Sequence, residues 1–116
     1  TCANTFPAMA INEKTCRPIL GNVTGGLSGP AIKPIALKIV WEVSKQACIP
    51  VIASGGITTW RDVVQFLLAG ASAVEIGSAS LRDPLCFTEI IRGFADYMRE
   101  KGLKSVSELI GKLKTD

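Results

Sequence analysis

Histidine is missing altogether from the 116 residues, which removes Ser-His-Asp and Cys-His catalysis, and any histidine-ligated metal, from this chain. No C-x-x-C pair occurs either. Cys2, Cys16, Cys48 and Cys86 are separated by 14, 32 and 38 residues, so zinc and thioredoxin-like readings fail on spacing. A disulfide framework needs a denser, loop-rich secreted sequence, and the cysteines point instead to a reducing, cytoplasmic compartment. Cys48 and Cys86 lie in apolar stretches and are expected to pack as small hydrophobes. No apolar run approaches the roughly 18 residues of a membrane span. The opening Thr1-Cys2-Ala3-Asn4 has neither a basic region nor an apolar signal segment. A net charge of +3, evenly spread, argues for neither nucleic acid nor an anionic membrane. With 47% hydrophobic and 20% charged residues, intrinsic disorder is excluded.

What is present reads, after an irregular first third, as alternating helices and strands. A helix is predicted from Pro34 to Gln46, its apolar face formed by Ala36, Ile39, Val40, Val43 and Ala47. Val51-Ile52-Ala53-Ser54 follows, apolar without alternation, as in a strand buried on both faces of a parallel sheet. Gly55-Gly56 breaks it. Thr59 with Asp62 three residues on is a carboxylate version of the capping box. The helix it opens turns Val63, Phe66 and Leu67 inward and stops at Gly70, a left-handed cap candidate. Ala73-Val74-Glu75-Ile76 is the next strand, broken at Gly77-Ser78. Asp83-Pro84 is expected to open a helix with Phe87, Ile90, Ile91, Phe94 and Met98 on one face, ending at Gly102. Ser105-x-x-Glu108 announces a last short helix burying Val106, Leu109, Ile110 and Leu113.

Alternation with short loops means right-handed βαβ units and a parallel sheet, hence an α/β fold. Two clear strands cannot make a stable parallel sheet, because each needs partners on both edges. The chain therefore reads as a piece of something larger, and a first residue other than methionine fits a fragment.

In a parallel α/β protein, ligands bind at the carboxyl ends of the strands. Both strands end in small-residue turns, Ser54-Gly55-Gly56 and Gly77-Ser78-Ala79, whose glycines lie 22 residues apart. Glycine there lets backbone N–H groups converge on an anion, and two such loops in succession match the phosphate site of a (βα)8 barrel. One such glycine alone would be read as serving only a tight turn; the pair in register is read as a phosphate site. If the phosphate reading holds, a Cβ branch at Gly56 or Gly77 would block the approach and cost more affinity for the phosphate ligand than Gly70→Ala, at a helix end away from the strand termini. A third loop, Gly25-Gly26-Leu27-Ser28-Gly29-Pro30, is neither a P-loop nor a dinucleotide fingerprint. Lys33 and Lys38 beside it are expected to be solvated charges at a helix start.

Asn4-Thr5, then Pro18 through Gly25-Gly26-Leu27-Ser28-Gly29-Pro30-Ala31-Ile32-Lys33-Pro34, then Ala53-Ser54-Gly55-Gly56-Ile57, then Gly77-Ser78-Ala79, in this order, resemble class 1 dihydroorotate dehydrogenases, most closely class 1B. The likeness covers essentially residues 1–116, as the C-terminal third of one FMN-binding domain. It implies the C-terminal part of a (βα)8 TIM barrel, helix six to helix eight, incomplete on its own. By that resemblance Asn4 and Thr5 would bind the pyrimidine, dihydroorotate or orotate. Ala3, Gly29, Gly55, Gly56, Gly77 and Ser78 would contact FMN, the last four at its phosphate. The implied reaction is oxidation of dihydroorotate to orotate in pyrimidine biosynthesis, with hydride passing to flavin N5.

The family's cysteine base and its lysine belong to loops after earlier strands, so no catalytic residue is expected here, and Cys2 is assigned to packing. Implied partners are the missing N-terminal part of the barrel, an iron–sulfur and FAD subunit, and a second copy in a homo-oligomer. One alternative is the FMN domain of a dihydropyrimidine dehydrogenase, suited by Thr58-Thr59-Trp60-Arg61-Asp62. Another is a non-catalytic FMN-binding half that works with a companion chain.

Overall fold

The chain folds around a short parallel sheet with helices against it, in a computed structural model that describes residues 1–115. In chain order the elements are β1 (Phe6–Met9), β2 (Ile11–Asn12), β3 (Arg17–Pro18), β4 (Thr24–Leu27), α1 (Lys33–Ser44), β5 (Ile52–Ser54), α2 (Trp60–Ala69), β6 (Ala73–Glu75), α3 (Ser78–Arg82) and α4 (Cys86–Glu100). β5 pairs in parallel with β6, Ile52 opposite Ala73 and Ser54 opposite Glu75. Its other edge is taken by the chain start: Cys2 N–H donates to Ile52 O at 2.9 Å and Ala3 N–H to Ser54 O at 2.8 Å. Three parallel segments thus lie side by side and deliver Asn4, Gly55 and Ile76 to the same end of the sheet.

α2 packs against both α1 and α4, and one cluster holds Ala36, Val40, Ala53, Ile57, Val63, Phe66, Leu67, Cys86, Ile90 and Leu109. Thr59 caps α2 through the reciprocal box expected of it, and Gly70 ends the helix at φ 116°. There the packing is close. A Cβ on Gly70 would run into Ser44 Oγ and Cβ, and that hydroxyl donates to Ala69 O at 2.8 Å, tying the ends of α1 and α2 together. A side chain at Gly70 therefore costs stability through this contact, apart from any effect on a ligand.

Several expectations are corrected. The first third is not irregular: β1 pairs antiparallel with β4, and β2 with β3. Pro7, Pro18, Gly25 and Gly26 hid these strands, since such residues survive in ribbons whose edges need no further partner. Asp83-Pro84 does not open α4. The Asp83 carboxylate accepts from Leu85 N–H at 2.9 Å, making a turn between α3 and a helix that starts at Cys86. Within α4, Ile90 is buried but Phe87 and Ile91 are exposed, as is Val43 on α1. The last helix is a single 3-10 turn, Val106–Glu108, capped as predicted. It stops because Gly111 and Leu113 give their N–H groups to Leu67 O and Leu68 O of α2, at 3.0 and 3.2 Å. Leu113 remains exposed. Cys86 is buried, whereas Cys48 is exposed in the loop before β5.

No helix among the described residues is long and apolar enough to cross a membrane, and none of their His, Cys, Asp or Glu side chains cluster in threes suited to a metal ion.

Candidate functional site

A cavity of about 180 Å³ opens at the carboxyl end of the sheet, lined by Ala3, Asn4, Thr5, Ser28, Gly29, Ile32, Ser54, Gly55, Gly56, Ile57, Gly77 and Ser78. All eight residues singled out from the sequence lie on this wall. They arrive from four separate places: the end of the first parallel segment, the loop before α1, the turn after β5 and the turn after β6.

The glycines of the wall are not equivalent. At Gly56, φ is 74°, and a Cβ would lie 2.7 Å from Gly29 O and 2.9 Å from both Lys33 N and Lys33 Cβ. Two of those three neighbours are backbone, which cannot swing aside. Gly55, at φ 131°, would press a Cβ to 2.7 Å from Ala36 Cβ, so its lack of a side chain serves strand-to-helix packing. At Gly29, φ is 87° and a Cβ would lie 3.8 Å from Ser78 Oγ. Gly77 differs. Its φ is −100° and a Cβ there meets no described atom within 4 Å, so the backbone does not demand glycine at that turn.

The N–H groups of Gly56 and Ile57 donate to no acceptor among the described residues. Free amides in a glycine turn are the donor set that takes up an anionic oxygen. At the opposite wall, Asn4 Oδ1 accepts from Thr5 N–H at 2.8 Å. That fixes the amide oxygen toward its own backbone and leaves the NH2 group as the donor available to a ligand. Thr5 packs directly over Gly26, where a Cβ would strike the threonine hydroxyl.

Sequence reasoning missed the carboxylate behind the turn. Lys33 is not a solvated charge: its Nζ lies 2.6 Å from Asp62 Oδ1, and Asp62 is only 5% exposed. Asp62 Oδ2 also accepts from Thr58 N, Thr58 Oγ1, Thr59 N and Thr59 Oγ1, at 2.8 to 3.1 Å. Burial pushes this carboxyl up, but the Lys33 ammonium and the Thr58 and Thr59 donors outweigh it and hold the pKa down at about 2. Lys38 does behave as expected, pairing on the surface with Glu42 at 2.8 Å. The capping box was a visible signal for Asp62. Its bond to a residue 29 positions away was not.

Comparison with known proteins gives this arrangement a family. The model for "Dihydroorotate dehydrogenase" matches residues 1–98, and the chain belongs to that family. It is 54% identical over 110 residues to the "Dihydroorotate dehydrogenase B (NAD(+)), catalytic subunit" of Bacteroides fragilis, covering 95% of this chain and 36% of the relative. The protein of the same name from Geotalea daltonii is 50% identical over 111 residues, covering 96% and 36%. Among solved structures, a DHODH from Eimeria tenella in complex with ferulenol superposes with a TM-score of 0.71 at 30% identity, over 90% of this chain and 29% of that one. The chain thus spans about a third of the length of the relatives it matches.

Proposed function

We propose that this chain is the C-terminal part, helix six to helix eight, of a (βα)8 barrel that oxidises dihydroorotate to orotate with FMN, as in class 1B enzymes. The observation that carries the reading is the convergence of Asn4-Thr5, Gly29, Gly55-Gly56 and Gly77-Ser78 on one cavity at the sheet's carboxyl end. The names of the relatives favour dihydroorotate over the dihydropyrimidine alternative.

The wall fits the cofactor. The Gly56 and Ile57 amides, which no described residue accepts from, would hold the phosphate together with Gly77 and Ser78 of the same cavity. Ala3 and Gly29 would lie against the remainder of FMN. When bound, FMN supplies the two-electron acceptor of the reaction. The chain's own work would be to bind and orient: Asn4 NH2 and Thr5 would meet the pyrimidine's polar edge, while the glycine turns would hold the cofactor's phosphate end. No residue here is assigned as the base, which belongs to the remainder of the protein. The relatives' designation as a catalytic subunit supports a companion subunit, which by the resemblance to class 1B enzymes would carry the iron–sulfur and FAD groups. The cysteine spacing supports a reducing, cytoplasmic compartment.

Incompleteness has its own support. The radius of gyration is 16.5 Å, against about 13 Å for a closed domain of this length. Leu81, Leu85 and Ile91 are 88%, 72% and 67% exposed, an apolar face on α3, the turn after it and α4. In the complete barrel this face is covered. The 116-residue chain made alone is therefore expected to associate through it. Analytical ultracentrifugation with thermal unfolding checks this; a cooperatively unfolding monomer would contradict the partial barrel.

The substrate role is tested at Asn4. In the complete enzyme, Asn4→Ala would leave a pyrimidine oxygen without its donor, a loss of about 1–3 kcal/mol, or roughly one to two decades in kcat/KM. Flavin content should be normal, because the cofactor is held at the other wall. Normal flavin with unchanged kcat/KM refutes the role. Joint loss of flavin and stability would mean that Asn4 only ties down its loop through the Thr5 N–H bond. Yellow protein with no turnover even in the unsubstituted enzyme would favour a non-catalytic FMN-binding half.

A further inference from the structure

We propose that Lys33 and Asp62 form a latch that holds the Gly55–Thr59 loop in its anion-accepting shape, and so act as positioning residues for the phosphate end of the cofactor. The inference rests on the flavin mononucleotide reading above.

A capping box needs a carboxylate only on the N–H of the cap residue, and commonly leaves it at the surface. Asp62 does more. One oxygen takes the backbone and hydroxyl donors of both Thr58 and Thr59, which fixes the last two residues of the loop. The other reaches across to α1 and takes Lys33 Nζ. Lys33 also backs the start of the loop, since a Cβ on Gly56 would lie 2.9 Å from its backbone N and from its Cβ. The free amides of Gly56 and Ile57 therefore sit between the first residue of α1 and the two threonines that Asp62 holds, and the ion pair ties these two sides together. Gly29 O closes the third side, 2.7 Å from the same Cβ position. A surface pair of this kind would contribute little, but here the carboxylate side chain is 7% exposed and the lysine 27%.

The geometry makes a prediction opposite to that of charge alone. The pair is neutral as a unit, so the loop meets an anion with shaped amides and no net charge from behind. Asp62→Asn frees the lysine's charge close to the cavity wall. Electrostatics by itself would then tighten binding of an anion. A loosened latch would weaken it.

The complete protein, stripped of flavin, is titrated with FMN and separately with riboflavin, which lacks the phosphate, following flavin fluorescence. Asp62→Asn is expected to weaken FMN by roughly tenfold or more, with riboflavin changed by less than about threefold. The double variant Lys33→Met with Asp62→Asn, whose net charge equals that of the unsubstituted protein, is expected to do the same. Lys33→Arg, which can keep the ion pair, is expected to retain the preference for FMN. Should Asp62→Asn fail to fold, Lys33→Met decides, since it removes the ion pair and leaves Asp62 capping α2: a loss confined to FMN that persists at high salt supports the latch, and no loss, or one that salt abolishes, overturns it.

Tighter FMN binding in Asp62→Asn overturns the latch. So does an equal loss of both ligands, which is the mark of a helix cap alone, and so does a preference for FMN that survives in both variants. If the unsubstituted protein itself fails to distinguish FMN from riboflavin, the phosphate assignment beneath the proposal falls instead.

Discussion

Gly56→Val in the complete protein is expected to yield enzyme without flavin, and with a fold weakened by on the order of 3 kcal/mol. The reasons are additive in kind. At φ 74° a branched residue adopts the left-handed region at a cost of about 1–2 kcal/mol. Its Cβ then meets Gly29 O at 2.7 Å and Lys33 N at 2.9 Å, both backbone atoms, so two loops of the cavity must separate. Gly77→Val separates the ligand's contribution from the fold's. With φ at −100° and no described atom within 4 Å of the new Cβ, it is expected to fold normally yet lose flavin, because the side chain projects into the space proposed for the phosphate. Gly21→Ala supplies the contrast that Gly70 cannot, since Gly21 has open space for a Cβ and no positive φ. Flavin-to-protein ratios and thermal melts of the three purified variants check the ordering. Equal flavin in all three, each folded, would remove the phosphate assignment.

This contrast also shows which parts of the site could be read from residues in line. Gly55-Gly56 and Gly77-Ser78 were legible because both follow short apolar strands, and position at a strand's carboxyl end is a sequence property. What each glycine is for was not. Gly55 answers to Ala36 and Gly56 to Lys33, and neither neighbour can be inferred from the turn itself. The same holds for Lys33, which reads as an ordinary charge until α2 brings Asp62 against it. Local signals fared well for the same reason. The Thr59 and Ser105 boxes and the left-handed Gly70 involve residues within four positions of one another. The antiparallel ribbons did not announce themselves, because β1 meets β4 across a stretch that includes β2 and β3, and the paired strands themselves carry Pro7, Gly25 and Gly26.

The helix that carries Asp62 buries its largest side chain at Phe66, and the removal of that ring gives the second large expected effect. Phe66 is fully buried, on the face of α2 turned to the core shared with Ala36, Ala53, Leu67 and Ile90. The sequence placed it there by helical spacing alone. Phe66→Ala in the complete protein is expected to cost about 3–5 kcal/mol, the lost transfer energy plus the cavity left behind. That is a large share of the roughly 5–15 kcal/mol that holds a domain together. Phe66→Leu keeps most of the volume and should cost less than about 1.5 kcal/mol. The site should register the difference. Asp62 lies one turn up the same helix, so slack in α2 reaches the Gly55–Thr59 loop, and Phe66→Ala should release flavin at temperatures where Phe66→Leu retains it. Denaturant unfolding of flavin-free protein gives the stability, and flavin fluorescence during heating gives the release. If Phe66→Ala costs under about 1 kcal/mol, the core does not depend on this ring. If it costs the full amount while flavin release is unchanged, α2 does not transmit its packing to the site, and the loop is held by the ion pair and threonine bonds alone.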